Sequence, residues 1–282
     1  MYGKFASDHG LKADSIALPD GTQAHWLGDP SAEKMLLYLH GGGYLLPAVE
    51  GHFHLLHQTV RKVEQQGGKL AVLFLSYDLS IIAPYPRQLQ QATALLRHTL
   101  TVLGRRPEDI LLAGDSAGGN LLLALVSHTV HQHPQVDPLD LPGKLAGVAL
   151  LSPWVTFDSS ADAMRRNLHR DILALPVLKK WAAIFQGGAA SDFYLEPLSA
   201  PSDWWQGFPA KEVLIMAGGD ELFVDDIAKF SKQFDAANSQ TVTKIVRGEA
   251  HDHPVMEFVV KEPQSEQRRI FEAWILENCL KK

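Results

Sequence analysis

The sequence predicts an α/β protein, a mostly parallel sheet with helices packed on both faces. Three observations carry that reading. Short apolar runs of strand length alternate with longer segments whose apolar residues recur at three- and four-residue spacing, the order expected of β-α-β units. Five of the six candidate strands are near-continuous apolar runs, as strands covered on both sides are. Hydrophobic residues make up 46% of the 282 and charged residues 21%, which supplies a sizeable core and excludes a disordered or fibrous chain.

The candidate strands are 35–40, 70–77, 109–114, 145–152, 213–217 and 241–246, and the helical patterns cover 52–66, 86–103, 118–131, 225–237 and 263–280. Segment 15–27, broken by Pro19-Asp20-Gly21, reads as a hairpin ahead of the sheet. The stretch 156–209 interrupts the rhythm and is far longer than a crossover needs. It predicts a small helical cap inserted into a single domain that takes in residues 1–282. Trp181, Trp204 and Trp205 in this region suggest an apolar ligand cavity, since pockets are mostly apolar with few polar groups; the alternative is that they form the cap's own core.

A net charge of −6 with no basic block argues against nucleic acid or an anionic membrane as partner and leaves a small molecule. The single cysteine, Cys279, has no internal disulfide partner, which fits a reducing compartment. The first ten residues lack an apolar signal core, and no apolar run approaches the roughly 20 residues that cross a bilayer, so the expected location is cytoplasmic.

The most specific motif is Gly114-Asp115-Ser116-Ala117-Gly118, between a buried strand and an apolar helix. Gly-x-Ser-x-Gly in a strand-turn-helix context is a nucleophile elbow, with glycines where side chains would clash across the turn, and it marks Ser116 as the nucleophile. His40-Gly41-Gly42-Gly43-Tyr44 follows another strand. Its Gly42 and Gly43 N–H groups, with that of Ala117, are the expected donors to the oxyanion that acyl transfer develops. A phosphate-binding loop is excluded, because neither G-x-x-x-x-G-K-[ST] nor G-x-G-x-x-G occurs.

A serine nucleophile needs a base and the base an orienting carboxylate, expected downstream in that fold order as acid and then histidine. Asp220, after Gly218-Gly219, and His251, after Arg247-Gly248-Glu249-Ala250, both follow strands at the same sheet edge as Ser116. Glu221, Asp225 and Asp226 are the rival acids and His253 the rival base. Tyr44, Asp115, Trp154 and Trp205 are the candidate substrate contacts. The groups His52, His54, His57 and His128, His131, His133 have no fitting carboxylate or cysteine partner, so they read as structural histidines and no metal is expected. His40 is expected to orient the glycine loop.

Taken together, HGGGY at 40–44, GDSAGGN at 114–120, Asp220-Glu221-Leu222 and Gly248-Glu249-Ala250-His251 resemble the hormone-sensitive-lipase-like esterases of the α/β-hydrolase fold. The run from Tyr194 to Pro201, followed by Trp204-Trp205, is similar to the end of the cap in fungal-type members. The resemblance implies a Ser116-Asp220-His251 triad and hydrolysis of small to medium carboxylic esters, or deacetylation, with no cofactor. An amide or lactone hydrolase such as an arylformamidase would use the same triad, and a noncatalytic ligand receptor would be expected to lack the base. Two departures stand out: only 39 residues precede His40, which predicts a reduced cap and an open pocket, and the acid segment reads Asp-Glu-Leu-Phe-Val-Asp-Asp where bacterial relatives tend to have Asp-Pro-Leu. Oligomeric state stays open, a homodimer being one arrangement.

Overall fold

The computed structural model describes residues 1–281. Strands β1 (Ser15–Ala17), β2 (Gln23–Gly28), β3 (Lys34–Leu39), β4 (Leu70–Ser76), β5 (Ile110–Asp115), β6 (Gly147–Leu151), β7 (Val213–Gly218) and β8 (Thr241–Val246) form one sheet in the order β1-β2-β4-β3-β5-β6-β7-β8. β2 pairs antiparallel with β1 and β4, so 15–27 is the hairpin its turn residues predicted; every other pairing is parallel. This is the α/β-hydrolase fold.

The helices are α1 (Tyr2–Asp8), α2 (Glu50–Gln65), α3 (Arg87–Thr101), α4 (Ser116–His131), α5 (Ala163–Arg166), α6 (Leu175–Gln186), α7 (Val224–Asp235), α8 (His253–Val260) and α9 (Glu266–Leu280). The unbroken apolar strands are explained by burial on two sides. In β3, Met35, Leu37 and Leu39 belong to the buried cluster that takes in α3, α4 and α7, whereas Leu36 and Tyr38 belong to the one that takes in α2 and α9. β8 closes one end of the sheet and exposes Val242 and Ile245, which accounts for its polar alternation.

Helices α1 and α8 carry no clear sequence signal. α1 has only seven residues, too few for periodicity to emerge. α8 is masked by the polar run His251-Asp252-His253, although Pro254 in its first turn is a start signal. α9 begins at Glu266, later than the 263 expected, because the Ser265 side chain caps it by accepting from the Arg268 N–H.

Between β6 and β7 the chain carries α5, α6 and two short 3-10 turns. The parallel strands run so that β3, β5, β7 and β8 end at one edge, and the loops leaving that edge hold the glycine loop, Ser116, Glu221 and His251. Such an edge is where open α/β sheets bind ligands.

Candidate active site

β5 ends at Asp115 and α4 begins at Ser116, leaving no room for a loop. Ser116 takes φ +50°, a conformation that non-glycine residues rarely hold without a compensating purpose. The turn fits only because Gly118 lies against β3: a Cβ there would stand 2.0 Å from the Leu39 carbonyl oxygen. Ser116 Oγ lies 2.9 Å from Nε2 of His251, which is fully buried on the loop after β8.

The carboxylate on the other side of the imidazole is that of Glu221, with Oε2 3.4 Å from His251 Nδ1. Neither Glu221 oxygen nor Nδ1 has a hydrogen-bond partner, so these otherwise unpaired buried groups face each other. This corrects the choice of Asp220. Asp220 sits on the outside of the turn, its N–H donating to the Glu249 carbonyl and its carboxylate 3.5 Å from Arg170 Nη1. The tight turn from Gly218 to Glu221 reverses direction within one residue, which sends Asp220 outward and Glu221 inward. Asp225 pairs with Arg166 and caps α5 through the Ala163 N–H, and His253 Nε2 faces Glu262, so neither reaches the site.

The inserted segment clamps the acid and base loops together. Asp171 accepts the His251 N–H at 3.1 Å through Oδ1 and the Leu222 N–H at 2.6 Å through Oδ2. Asn167 Nδ2 donates to the Glu221 carbonyl at 2.9 Å. Lone polar residues in an irregular segment gave the sequence no pattern from which to find them.

Gly42 and Gly43 have φ of +105° and +59°, and a Cβ on Gly43 would meet the Trp181 ring at 2.1 Å. The loop is held from below. Gly41 N–H donates to Asp115 Oδ2 at 3.0 Å, and Asp115 also takes the Tyr38 hydroxyl at 2.8 Å and faces His52 Nε2 at 3.1 Å. Asp115, expected to touch substrate, lines the cavity over Ser116 but spends its carboxylate on these scaffold contacts. His40 Nδ1 donates to the Gly41 carbonyl at 2.6 Å and its ring stacks on Tyr77. Burial pushes its pKa down to about 4, so it stays neutral in its loop-orienting place.

A cavity of about 240 Å³ opens over Ser116, lined by Gly42, Gly43, His52, Trp154, Leu173, Leu178, Trp181, His251, Asp252 and Met256 among others. Trp154, expected to touch substrate, lines it. Two expectations are corrected. Tyr44 is wholly buried, its ring stacked on Phe185 and its hydroxyl donating to Asn120 Oδ1. Trp205 packs edge-on against Phe230 beneath the insertion, away from the cavity, because the 3-10 turn holding it points at α7. Of the three insertion tryptophans that suggested a ligand cavity, Trp181 lines it, and the contributors that sequence reasoning missed include His52 and Asp252.

Burial alone would push His251 down, but Asp252 and Glu221 beside it raise it well above the ordinary 6.5. Burial raises Glu221, opposed by His251. Burial also weighs against a charged His52, but Asp115 overcomes it and raises its pKa, while Asp115, despite burial, is lowered by His52. No group of three or more His, Cys, Asp or Glu side chains among the described residues is arranged to hold a metal ion, and none of their helices is long and apolar enough to cross a membrane.

The family model for the alpha/beta hydrolase fold matches residues 36–255. An esterase of Acinetobacter venetianus is 27% identical over 221 residues, covering 77% of this chain and 67% of that protein. Steryl acetyl hydrolase 1 of Saccharomyces cerevisiae is 26% identical over 238 residues, and the chain spans only 52% of its length. Among solved structures, an esterase from the bacterial hormone-sensitive lipase family superposes with a TM-score of 0.77 at 25% identity, covering 94% of this chain and 82% of that one. With the family model spanning most of the chain, and with the elbow and glycine loop at the same sheet edge, this protein belongs to the α/β-hydrolase family, in its hormone-sensitive-lipase-like branch.

Proposed function

We propose that the protein is a serine carboxylesterase or deacetylase acting on small acyl esters, with Ser116 as nucleophile, His251 as base and Glu221 as the orienting acid. The observation that carries this is the line Ser116 Oγ, His251 Nε2 and Nδ1, Glu221 Oε2, with separations of 2.9 and 3.4 Å at its two contacts. Apo contacts of this kind are often long and tighten when substrate binds.

Ser116 gives its hydroxyl proton to His251 Nε2 as Oγ bonds to the acyl carbon, and the carbonyl electron pair moves onto oxygen. The N–H groups of Gly42, Gly43 and Ala117 receive that oxyanion. Its collapse breaks the bond to the alcohol, which takes the proton from Nε2. Water then repeats the sequence on the acyl-enzyme: it yields a proton to Nε2, bonds to the acyl carbon, and Ser116 leaves with its proton restored. Glu221 keeps the proton of the imidazole on Nδ1 and stabilises the imidazolium between steps. The insertion acts as a cap, supplying Leu173, Leu178 and Trp181 as an apolar wall.

The cavity volume lies below the 300 Å³ or more of sites for drug-sized ligands, which favours acetyl to short acyl chains. The similarity to an acetyl hydrolase points the same way. Labelling by an organophosphonate tests the reading: a single adduct on Ser116, lost in Ser116→Ala together with p-nitrophenyl acetate hydrolysis, is expected. Hydrolysis that survives in Ser116→Ala overturns it.

A further inference from the structure

The Asp252 carbonyl starts α8 by accepting from the Val255 and Met256 N–H groups, but its side chain does not cap the helix. Asp252 follows His251 directly, lies at the start of α8 with φ +50°, and is 8% exposed. Oδ1 has no hydrogen-bond partner, and Oδ2 stands 3.2 Å from His251 Nε2. Buried carboxylate oxygens are normally hydrogen-bonded, and Oδ1, left without a donor on a residue in the wall of a cavity, marks a place for a donor from outside. The surrounding wall is apolar, with Trp154, Trp181 and Met256, so that donor would find few other polar partners.

The position also fixes which part of the substrate it meets. Nε2 is the atom that returns the proton to the departing alcohol oxygen, so a group 3.2 Å from Nε2 borders the alcohol side of the ester. We propose that Asp252 is a specificity-determining residue that accepts a hydrogen bond from a hydroxyl on the alcohol portion, making short acyl monoesters of polyols the preferred substrates. The inference rests on the ester-hydrolase reading and narrows it.

The charges around Asp252 favour a hydroxyl over an ammonium group. Facing it are His251 and His52, both raised toward the cationic form, along with Asp115 and Glu221. Burial holds the Asp252 carboxyl up at about 7, against the pull of His251, so near neutrality it is only partly ionised. An added cation would stand beside two imidazoles that both favour their cationic form. A neutral hydroxyl meets no such penalty.

The test uses matched pairs. 2-Hydroxyethyl acetate has the shape of n-propyl acetate, and protonated 2-(dimethylamino)ethyl acetate that of 3-methylbutyl acetate. The ratio of kcat/KM within a pair, measured on one enzyme, cancels any change in folded fraction or in His251 basicity. The wild type is expected to prefer the hydroxyethyl ester about tenfold, the worth of one hydrogen bond to a carboxyl group. Asp252→Gly, which tolerates the positive φ, should bring that ratio close to one, and Asp252→Asn, which keeps an acceptor, should retain most of it. A wild-type ratio near one, a ratio unchanged in Asp252→Gly, or a stronger preference for the ammonium ester overturns the inference. Failure of the wild type on p-nitrophenyl acetate as well would overturn the ester-hydrolase reading beneath it, whereas activity there without a hydroxyl preference sinks this inference alone.

Discussion

The nucleophile side and the acid side of the site differ in how much of their construction depends on glycine. On the nucleophile side, the elbow and the glycine loop rest on a close backbone approach, Gly118 against Leu39, and on one buried carboxylate, Asp115, which holds the Gly41 N–H, the Tyr38 hydroxyl and His52. On the acid side, main-chain bonds from Gly219 to Val246 and from Asp220 to Glu249 join the two loops, and side chains of the insertion, Asp171 and Asn167, fix Glu221 and His251 on them. Backbone constraints demand glycine at fixed positions and so leave a mark in the sequence. Side-chain clamps demand one residue each and leave none.

The largest expected effect falls on the first side. Ser116→Ala should lower kcat by about a million-fold, as triad deletions do when the remaining groups cannot act alone, while the thermal transition stays within a few degrees. Retention of more than about a hundredth of the activity would mean that the glycine-dependent side does not hold the nucleophile. Next comes a contrast between two tryptophans of the insertion. Trp205→Ala should cost about 3 to 5 kcal/mol of stability by emptying a packed aromatic cluster, with the substrate profile of the surviving folded protein unchanged. Trp181→Ala should do the reverse: little loss of stability, but loss of the roughly fourfold gain in kcat/KM that each added acyl carbon brings where the cavity can bury it. Denaturant melts and a series from acetate to hexanoate read both.

The smallest effect is in pH. His251 must be neutral to accept the proton of Ser116, and its raised pKa places the acidic limb of kcat/KM above 6.5. Removing the negative charge of Glu221 removes one cause of that rise, so the midpoint in Glu221→Gln should move to lower pH; a shift upward would show that Glu221 does not face the imidazole in its charged form.

Much of the fold was legible because five strands are buried on both faces and the helices carry clear three- and four-residue spacing. Ser116, Gly42 and Gly43 were legible for the same reason as the elbow, since a turn that admits no side chain selects glycine visibly. Asp220 was chosen over Glu221 on position alone. Two adjacent acids after Gly218-Gly219 are indistinguishable until the turn shows which faces inward, and that direction is set by the hydrogen bonds of Asp220 to Glu249 and of Glu221 to Gly218. Trp205 and Tyr44 were misplaced because a large aromatic reads alike in a core and at a pocket wall. Asp171 and Asn167 were invisible, being single polar residues whose partners lie elsewhere in the chain, and Asp252 was hidden because an acid beside the base reads as one more polar loop residue until the turn aims it at Nε2.

The most direct test of this division is a pair of single substitutions in neighbouring residues, Glu221→Gln and Asp220→Asn, assayed on p-nitrophenyl butyrate at one pH. Glu221→Gln should lower kcat by about a thousand- to ten-thousand-fold through loss of the correct imidazole tautomer, whereas Asp220→Asn, which loosens only an exposed contact with Arg170, should stay within about threefold. The opposite ranking would contradict the account.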